Sequence, residues 1–371
     1  MVMFFRLMIT LSVSILMTKI IIYISDTHAK ISLDHDTSGI QKMHDHVVPR
    51  VGGLAIFVAL SFTALYGANV SAVWTSFYCG VVTSAFIVFI GGLTEDLSKA
   101  VSPAVRIFFM CIAVAIACFV THSMPLIKHL DHQIIDRLVA FDVVAFAITC
   151  FAVVGISNSF NIIDGYNGLS SMTAMISALV IAYLAWQLND YNVLFVSMSL
   201  FAAIAGFFIF NYPHGRIFLG DGGAYSVGFI IALLALNLVE GHSGEISPFA
   251  ALLIVSYPFT ETVFSIVRRK FIHKTKSTEP DNLHMHQLVF DRCLPVNLSL
   301  IYRNSRVMPL MTIFIWPPAL ATMLFYKSTV IMLSSIVLYV IFYVYFYFRL
   351  VHFKTPKFLI FKAKLMISNN H

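Results

Sequence analysis

Apolar runs alternate with short polar connections along most of the chain, near residues 4–25, 51–68, 72–93, 104–125, 141–158, 169–188, 192–213, 222–240, 247–267, 307–325 and 328–348. Most of these runs approach or exceed the roughly 20 residues needed to cross about 30 Å of hydrocarbon. Lipid offers the backbone no hydrogen-bond partners, so continuous apolar runs of this length are helices rather than barrel strands. The first run is too long for a signal peptide, lacks a small-residue cleavage site and carries Lys19 near its far end, where the stem can snorkel. It reads as an uncleaved span. The seventh runs into Asn211-Tyr212-Pro213, and the ninth ends in Arg268-Arg269-Lys270. The expected fold class is therefore an all-α polytopic membrane protein with about eleven transmembrane helices.

Composition agrees with the pattern. Only 11% of the 371 residues are charged and 59% are hydrophobic, whereas a soluble domain carries about 25% charge. With eleven spans, the loops after odd-numbered spans and the C-terminal tail share one side and hold nineteen Lys and Arg, against four (Arg6, Lys128, Arg137, Lys327) on the other. The positive-inside rule places the basic side in the cytoplasm. The net charge of +6 is then topology and attraction to anionic headgroups, which excludes nucleic acid as the expected partner. The five cysteines form no CxxC, and four of them lie inside spans, so structural disulfides are not expected. No inverted repeat is visible, and the longest segment outside the spans, about 268–306, is too short for its own core. A single integral membrane domain over residues 1–371 is expected.

Five polar clusters sit at the ends of the apolar runs, all on the basic side: His46 to Gly53, Gly92 to Asp96, Asn158 to Gly168, Phe218 to Gly223 and Asn282 to Gln287. Glu95 and Asp96 can hold a metal, accept a proton or orient a phosphate-bearing lipid; two acids are also what a solvated helix end carries. Asn158, Asn161 and Asp164 fall within reach of one helix face, followed by Gly165 and Gly168, which let backbone approach a ligand. A helix–turn–helix connection explains those glycines but not the amides and the acid. Asp221 between Gly220 and Gly222 suits a divalent-cation site shared with phosphate oxygens, or a helix N-cap. His284 and His286, at i and i+2, do not share a helix face but can bracket a ligand from irregular backbone; a zinc site lacks ligands nearby. The neighbouring basic run is also what a cytoplasmic anchor looks like. Pro49-Arg50-Val51-Gly52-Gly53, after His44, Asp45 and His46, can bring a guanidinium and backbone amides towards an anion.

In this order, Pro49-Arg50-Val51-Gly52-Gly53, Gly92-x-x-Glu95-Asp96, Asn158-x-x-Asn161-x-x-Asp164-Gly165, Phe218-Leu219-Gly220-Asp221 and His284-x-His286 resemble the motifs of the polyprenyl-phosphate N-acetylhexosamine-1-phosphate transferases. The likeness runs from about residue 44 to 292 and is greatest to the WecA-like branch, with the phospho-MurNAc-pentapeptide transferases as more distant relatives. It implies a bundle of ten or eleven helices with a cytoplasmic-facing cleft in the bacterial inner membrane. It implies transfer of a sugar-1-phosphate from a UDP-N-acetylhexosamine to a polyprenyl phosphate, releasing UMP, with Mg2+ or Mn2+ as cofactor; a homodimer is compatible with it. Under the resemblance Asp221 holds the metal, and Asp96 with Glu95 positions or deprotonates the lipid phosphate. Asn158, Asn161 and Asp164 shape the nucleotide-sugar site, His284 and His286 contact phosphate oxygens, and Arg50 is a further phosphate contact.

Four positions depart from the family pattern. Glu95 stands where relatives usually carry Asp, Asn167 replaces a frequent Asp, Gln287 takes the third place of a His-x-His-His run, and Glu261 sits where Asp is common. These changes suggest a branch with a different sugar, such as one initiating O-antigen or capsule chains. A transporter or flippase is the main rival, since polar residues in helices often mark a translocation path. It would place them near mid-membrane and at broken helices rather than at one rim. A CDP-alcohol phosphotransferase would need an Asp-Gly-x-x-Ala-Arg run, which Asp164-Gly165-Tyr166-Asn167-Gly168-Leu169 does not supply.

Overall fold

The computed structural model describes residues 2–27, 48–67, 72–273, 283–356 and 359–360. His44, Asp45, His46, Asp281 and Asn282 lie outside the described residues. Within them the chain is helical, with no strand. The helices are α1 (Val2–Thr27), α2 (Gly52–Gly67), α3 (Ala72–Ser98), α4 (Pro103–Ala115), α5 (Gln133–Val139), α6 (Asp142–Ile162), α7 (Leu169–Gln187), α8 (Tyr191–Asn211), α9 (Gly220–Gly241), α10 (Phe249–Ile254), α11 (Ser256–Arg268), α12 (Met285–Cys293), α13 (Leu300–Phe325) and α14 (Thr329–Val351). Every expected span is helical. Among the described residues, nine helices are individually long and apolar enough to cross a membrane; α2 is shorter.

Several boundaries differ from the sequence expectation: the fourth span ends at Val120, five residues early, and the fifth runs on to Ile162. The third span continues as helix to Ser98, so Glu95 and Asp96 sit on α3 rather than beyond it. The tenth starts at Leu300, seven residues early, because Ser299 caps it by accepting the Tyr302 N–H. The ninth is broken at Val255 into α10 and α11. Pro258 explains the break: it has no N–H for the Ile254 carbonyl, and its ring crowds that carbonyl. The freed oxygen is not left bare in an apolar setting, for the Ser177 hydroxyl donates to it at 3.1 Å.

α9 is the axis of the bundle. Gly222, Gly223, Ala224, Gly228, Ala232 and Ala235 give it small residues around its circumference, and nearly all of its length is buried. Small residues let α2, α3 and α6 approach backbone to backbone, which is how helices associate where lipid provides no hydrophobic drive between them. α1 joins the bundle by an i, i+4 stripe of Thr10, Ser14 and Thr18 on an otherwise lipid-like helix. Thr10 meets Thr63 of α2 at 2.7 Å, and Ser14 donates to the Ala203 carbonyl of α8 at 2.6 Å. Its opposite face exposes Phe4, Phe5 and Leu16, as the outer face of α14 exposes Val330, Leu338 and Ile341. Those are faces for acyl chains.

Candidate active site

Three pairs of adjacent glycines bring the site together. A Cβ on Gly53 would stand 2.3 Å from the Gly223 Cα, and one on Gly92 2.5 Å from the Gly222 Cα. α2 and α3 therefore touch the first turn of α9 through bare backbone. Ahead of that turn, Phe218 N–H donates to the Pro49 carbonyl, and Gly52 and Gly53 N–H donate to the carbonyls of Phe218 and Leu219 at 2.8–2.9 Å. This pairing delivers Arg50 to the start of α9. Gly220 adopts φ +76 there, and a Cβ would lie 2.0 Å from the Arg50 carbonyl, so the position admits glycine alone.

Asp96 satisfies the opening of α9. Its two carboxylate oxygens accept the Asp221 and Gly222 N–H groups, each at 2.9 Å. The N-terminal amides of a helix lack intrahelical partners and carry partial positive charge, so a carboxylate from the end of α3 is a matched cap. Asp221 itself is not the cap; its side chain turns into the cleft. There its Oδ2 accepts from Arg106 Nη1 at 2.9 Å and its Oδ1 from Asn161 Nδ2 at 3.0 Å, with Arg50 Nη2 3.8 Å away. Arg106 also donates to the Tyr225 hydroxyl at 3.0 Å.

A cleft of about 420 Å3 opens above Asp221, lined among others by Arg50, Asn161, Asp164, His284 and His286. The structure thus brings together six of the nine residues singled out in the sequence. Asp164 lies in the turn after α6, where burial pushes its carboxyl up to about 7 against the pull of Arg50, with Asp221 and Asp96 adding to the rise. Asp96 sits directly beneath the cleft floor. Asn158 lies one turn deeper on α6, its amide donating to the Val154 carbonyl at 2.9 Å and contacting the Met110 sulfur. Glu95 points away: its Oε2 accepts the Val101 N–H at 2.7 Å and closes the turn into α4, the helix that carries Arg106.

The two histidines belong to one rigid wall. His284 is the N-cap of α12, and its ring lies parallel to that of His286, 5.4 Å apart at 5°. Gln287 completes the capping box by accepting the His284 N–H at 3.0 Å, which gives the amide at this departure a local structural task. Asn167, the other departure near the cleft, is also structural. Its Nδ2 donates to the Pro213 carbonyl at 2.9 Å, which an aspartate could not do, and its N–H donates to Asn304 Oδ1 at 2.8 Å. Arg268 is turned inward rather than spread on a headgroup surface, bonding the Tyr347 hydroxyl and the Leu283 carbonyl.

Arg106, Asn211 and Asn304 belong to the site or its floor and carry no motif. The usable signal for Arg106 was a cation at the head of an apolar run, ten residues after Asp96, since intramembrane charges are costly and need a partner. Asn211, whose Oδ1 accepts the Gly168 N–H, gave no such signal.

Among the described residues, no three His, Cys, Asp or Glu side chains gather closely enough to hold a metal by themselves. The Asp221 carboxylate could hold magnesium, which takes one or two carboxylates and completes its shell with water and substrate phosphates, while Arg50 and Arg106 are not metal donors and suit the phosphate oxygens instead.

Fold and site together define a multi-pass helical membrane protein with a polar, carboxylate-bearing cleft at one end of the bundle. Residues 78–239 match the model of glycosyl transferase family 4. The chain is 27% identical over 247 residues, 66% of each chain, to a probable undecaprenyl-phosphate N-acetylglucosaminyl 1-phosphate transferase of Bacillus subtilis. It is 24% and 25% identical, over 68% of each chain, to undecaprenyl-phosphate alpha-N-acetylglucosaminyl 1-phosphate transferases of Yersinia pestis and Escherichia coli K12. The chain is thus similar to membrane transferases that place a sugar 1-phosphate on undecaprenyl phosphate.

Proposed function

We propose that the chain transfers an N-acetylhexosamine-1-phosphate from a UDP-sugar to a polyprenyl phosphate, giving a polyprenyl-diphospho-sugar and UMP. The observation that carries this reading is the Asp221 carboxylate, held at the N-terminus of α9 among Arg50, Arg106 and Asn161 on the floor of a cleft at one end of the bundle. That is an arrangement for anionic oxygens at a membrane rim, where a lipid phosphate and a charged nucleotide can both reach. A translocation path would instead run through mid-membrane.

In this reading an oxygen of the lipid phosphate attacks the sugar-linked phosphorus as the bond from that phosphorus to the UMP oxygen breaks. The lipid phosphate is already anionic near neutral pH, so positioning and charge neutralisation do most of the work. Asp221 would hold a magnesium ion, which supplies charge neutralisation at the diphosphate when bound. Arg50 and Arg106 bind anionic oxygens on the floor, and His284 and His286 do so from the α12 wall. Asn161 and Asp164 shape the nucleotide-sugar side, and Asp96 orders the turn that presents Asp221. The nineteen basic residues on the cleft side of the sequence topology support a cytoplasmic orientation in a bacterial inner membrane. An initiating step of O-antigen or capsule synthesis suits the chemistry.

The test is to incubate membranes containing the protein with polyprenyl phosphate, magnesium and a panel of UDP-N-acetylhexosamines, and to assay UMP. Release from one sugar, lost on chelation and in Asp221→Ala, is expected. No UMP from any sugar, with wild type and Asp221→Ala alike, overturns the reading.

A further inference from the structure

Glu261 has no exposed surface, yet it is a carboxylate inside an apolar bundle. Burying an ionised group is costly unless hydrogen bonds replace its water. Here they do: Oε1 receives His284 Nδ1 at 2.9 Å, and Oε2 receives the Tyr343 hydroxyl at 2.8 Å and the Met285 N–H at 3.1 Å. Ser265 adds a contact to Oε1 at 3.4 Å and to His284 Nδ1 at 3.1 Å. Two of these contacts, from His284 and Met285, come from the start of α12. A tyrosine or serine network alone would not need a charge here.

The same helix holds the second imidazole. Tyr257, one turn before Glu261 on α11, meets His286 Nδ1 at 3.1 Å through its hydroxyl. Both rings are thus gripped at Nδ1 by α11, and they stack in parallel. Both residues line the cleft, and His286 Nε2 is 3.7 Å from where a Gly165 Cβ would stand. A carboxylate only accepts, so against an ionised Glu261 the hydrogen lies on His284 Nδ1.

We propose that Glu261 is a positioning residue for ligand binding, acting through His284 to hold the imidazole pair of α12 against the diphosphate of a bound nucleotide. The inference rests on the reading that the cleft takes a nucleotide diphosphate. Neither Glu261 nor Tyr257 lines the cleft, so they have no direct contact of their own to contribute.

The test is a double-mutant cycle on the full-length protein in detergent, with UDP and magnesium as probe and binding, rather than turnover, as readout. Glu261→Gln keeps the shape and removes the charge; its UDP affinity is expected to fall about tenfold, the size of a lost hydrogen bond to a charged group. In a His284→Ala background, Glu261→Gln is expected to change UDP affinity no further, which a general loosening of the bundle would not produce. In turnover the loss is expected in KM for the UDP-sugar, with kcat nearly kept. Should Glu261→Gln fail to fold, Glu261→Asp, which retracts the carboxylate by one methylene, is expected to lose affinity only while His284 is present. Undiminished affinity in a folded Glu261 variant, or the same loss with and without His284, overturns the proposal and leaves the transferase reading standing. Wild-type protein that binds no UDP brings down both.

Discussion

The carboxylate of Asp96 accepts the backbone N–H groups of both Asp221 and Gly222 at 2.9 Å, so one acidic side chain at the end of α3 fixes the conformation of another at the start of α9. Asp96 and Asp221 are 125 residues apart in the chain and stand as structural cap and cleft carboxylate. Asp96→Asn keeps one acceptor but turns an amide donor towards an N–H. It is expected to lower stability by about 1–2 kcal/mol, in the range of a lost helix cap, and activity with it. Thermal unfolding in detergent, measured beside UMP release, checks this. A variant inactive at wild-type stability would mean that Asp96 acts on substrate directly.

The glycine contacts make a steric prediction. Gly53→Ala and Gly92→Ala place a methyl group within 2.3–2.5 Å of the Gly223 and Gly222 Cα atoms, in a contact where backbone cannot yield. Each is expected to cost more than about 2 kcal/mol, as overpacking of a closed interior does. Gly155→Ala, on α6 with nothing within 4 Å, is the control and is expected to be neutral or stabilising. Folded yield by size-exclusion chromatography and melting temperature separate the two cases.

Arg106 offers a test of the floor itself. Its Nη1 bridges Asp221 Oδ2 and the Tyr225 hydroxyl, a pairing that a lysine can only half reproduce. Arg106→Ala is expected to reduce kcat/KM by about a hundredfold and Arg106→Lys by less, from the loss of a charge-assisted contact. Equal rates in wild type and Arg106→Ala would remove the guanidinium from the site.

What the sequence disclosed follows the same division. Apolar length reveals spans because lipid enforces helices, so every span was legible, whereas the break at Val255 needed the absent N–H of Pro258 to be matched with Ser177 on a different helix. Arg50, Asn161, Asp164, Asp221, His284 and His286 were legible because each stands in a polar cluster at the end of a run. Arg106 and Asn304 were not, since each stands outside those clusters and its partner lies far away in sequence: Asp221 for Arg106, Asn167 for Asn304. Glu95 and Asp96 show the limit of reading neighbours together. Consecutive residues on a helix point about 100° apart, and the structure sends one to the α4 turn and the other to α9.

Asn167 turns a departure from the family pattern into a prediction. Asn167→Asp replaces the donor to the Pro213 carbonyl with an acceptor and sets a carboxylate against a carbonyl in a buried place. The variant is expected to lose about 1–3 kcal/mol of stability, the cost of an unsatisfied buried polar group. Asn167→Ala should lose less. The order of melting temperatures, wild type above Ala above Asp, checks it.

Asp164 makes the stability of the protein depend on pH. Its folded carboxyl is raised from an ordinary 3.8 to about 7 by burial. Between those values the folded protein holds a proton that the unfolded chain releases, so this contribution is complete below about pH 4 and is lost as pH rises through 7. Asp164→Asn does not titrate. Its unfolding free energy should therefore pull ahead of wild type as pH is raised from 5 to 8, by an amount on the order of 2 kcal/mol, while its transferase activity falls. Against this penalty the carboxylate stays in the cleft, as its proposed place on the nucleotide-sugar side requires. If the stability gap between the two proteins is the same at pH 5 and pH 8, Asp164 titrates as an ordinary surface acid and that inference fails.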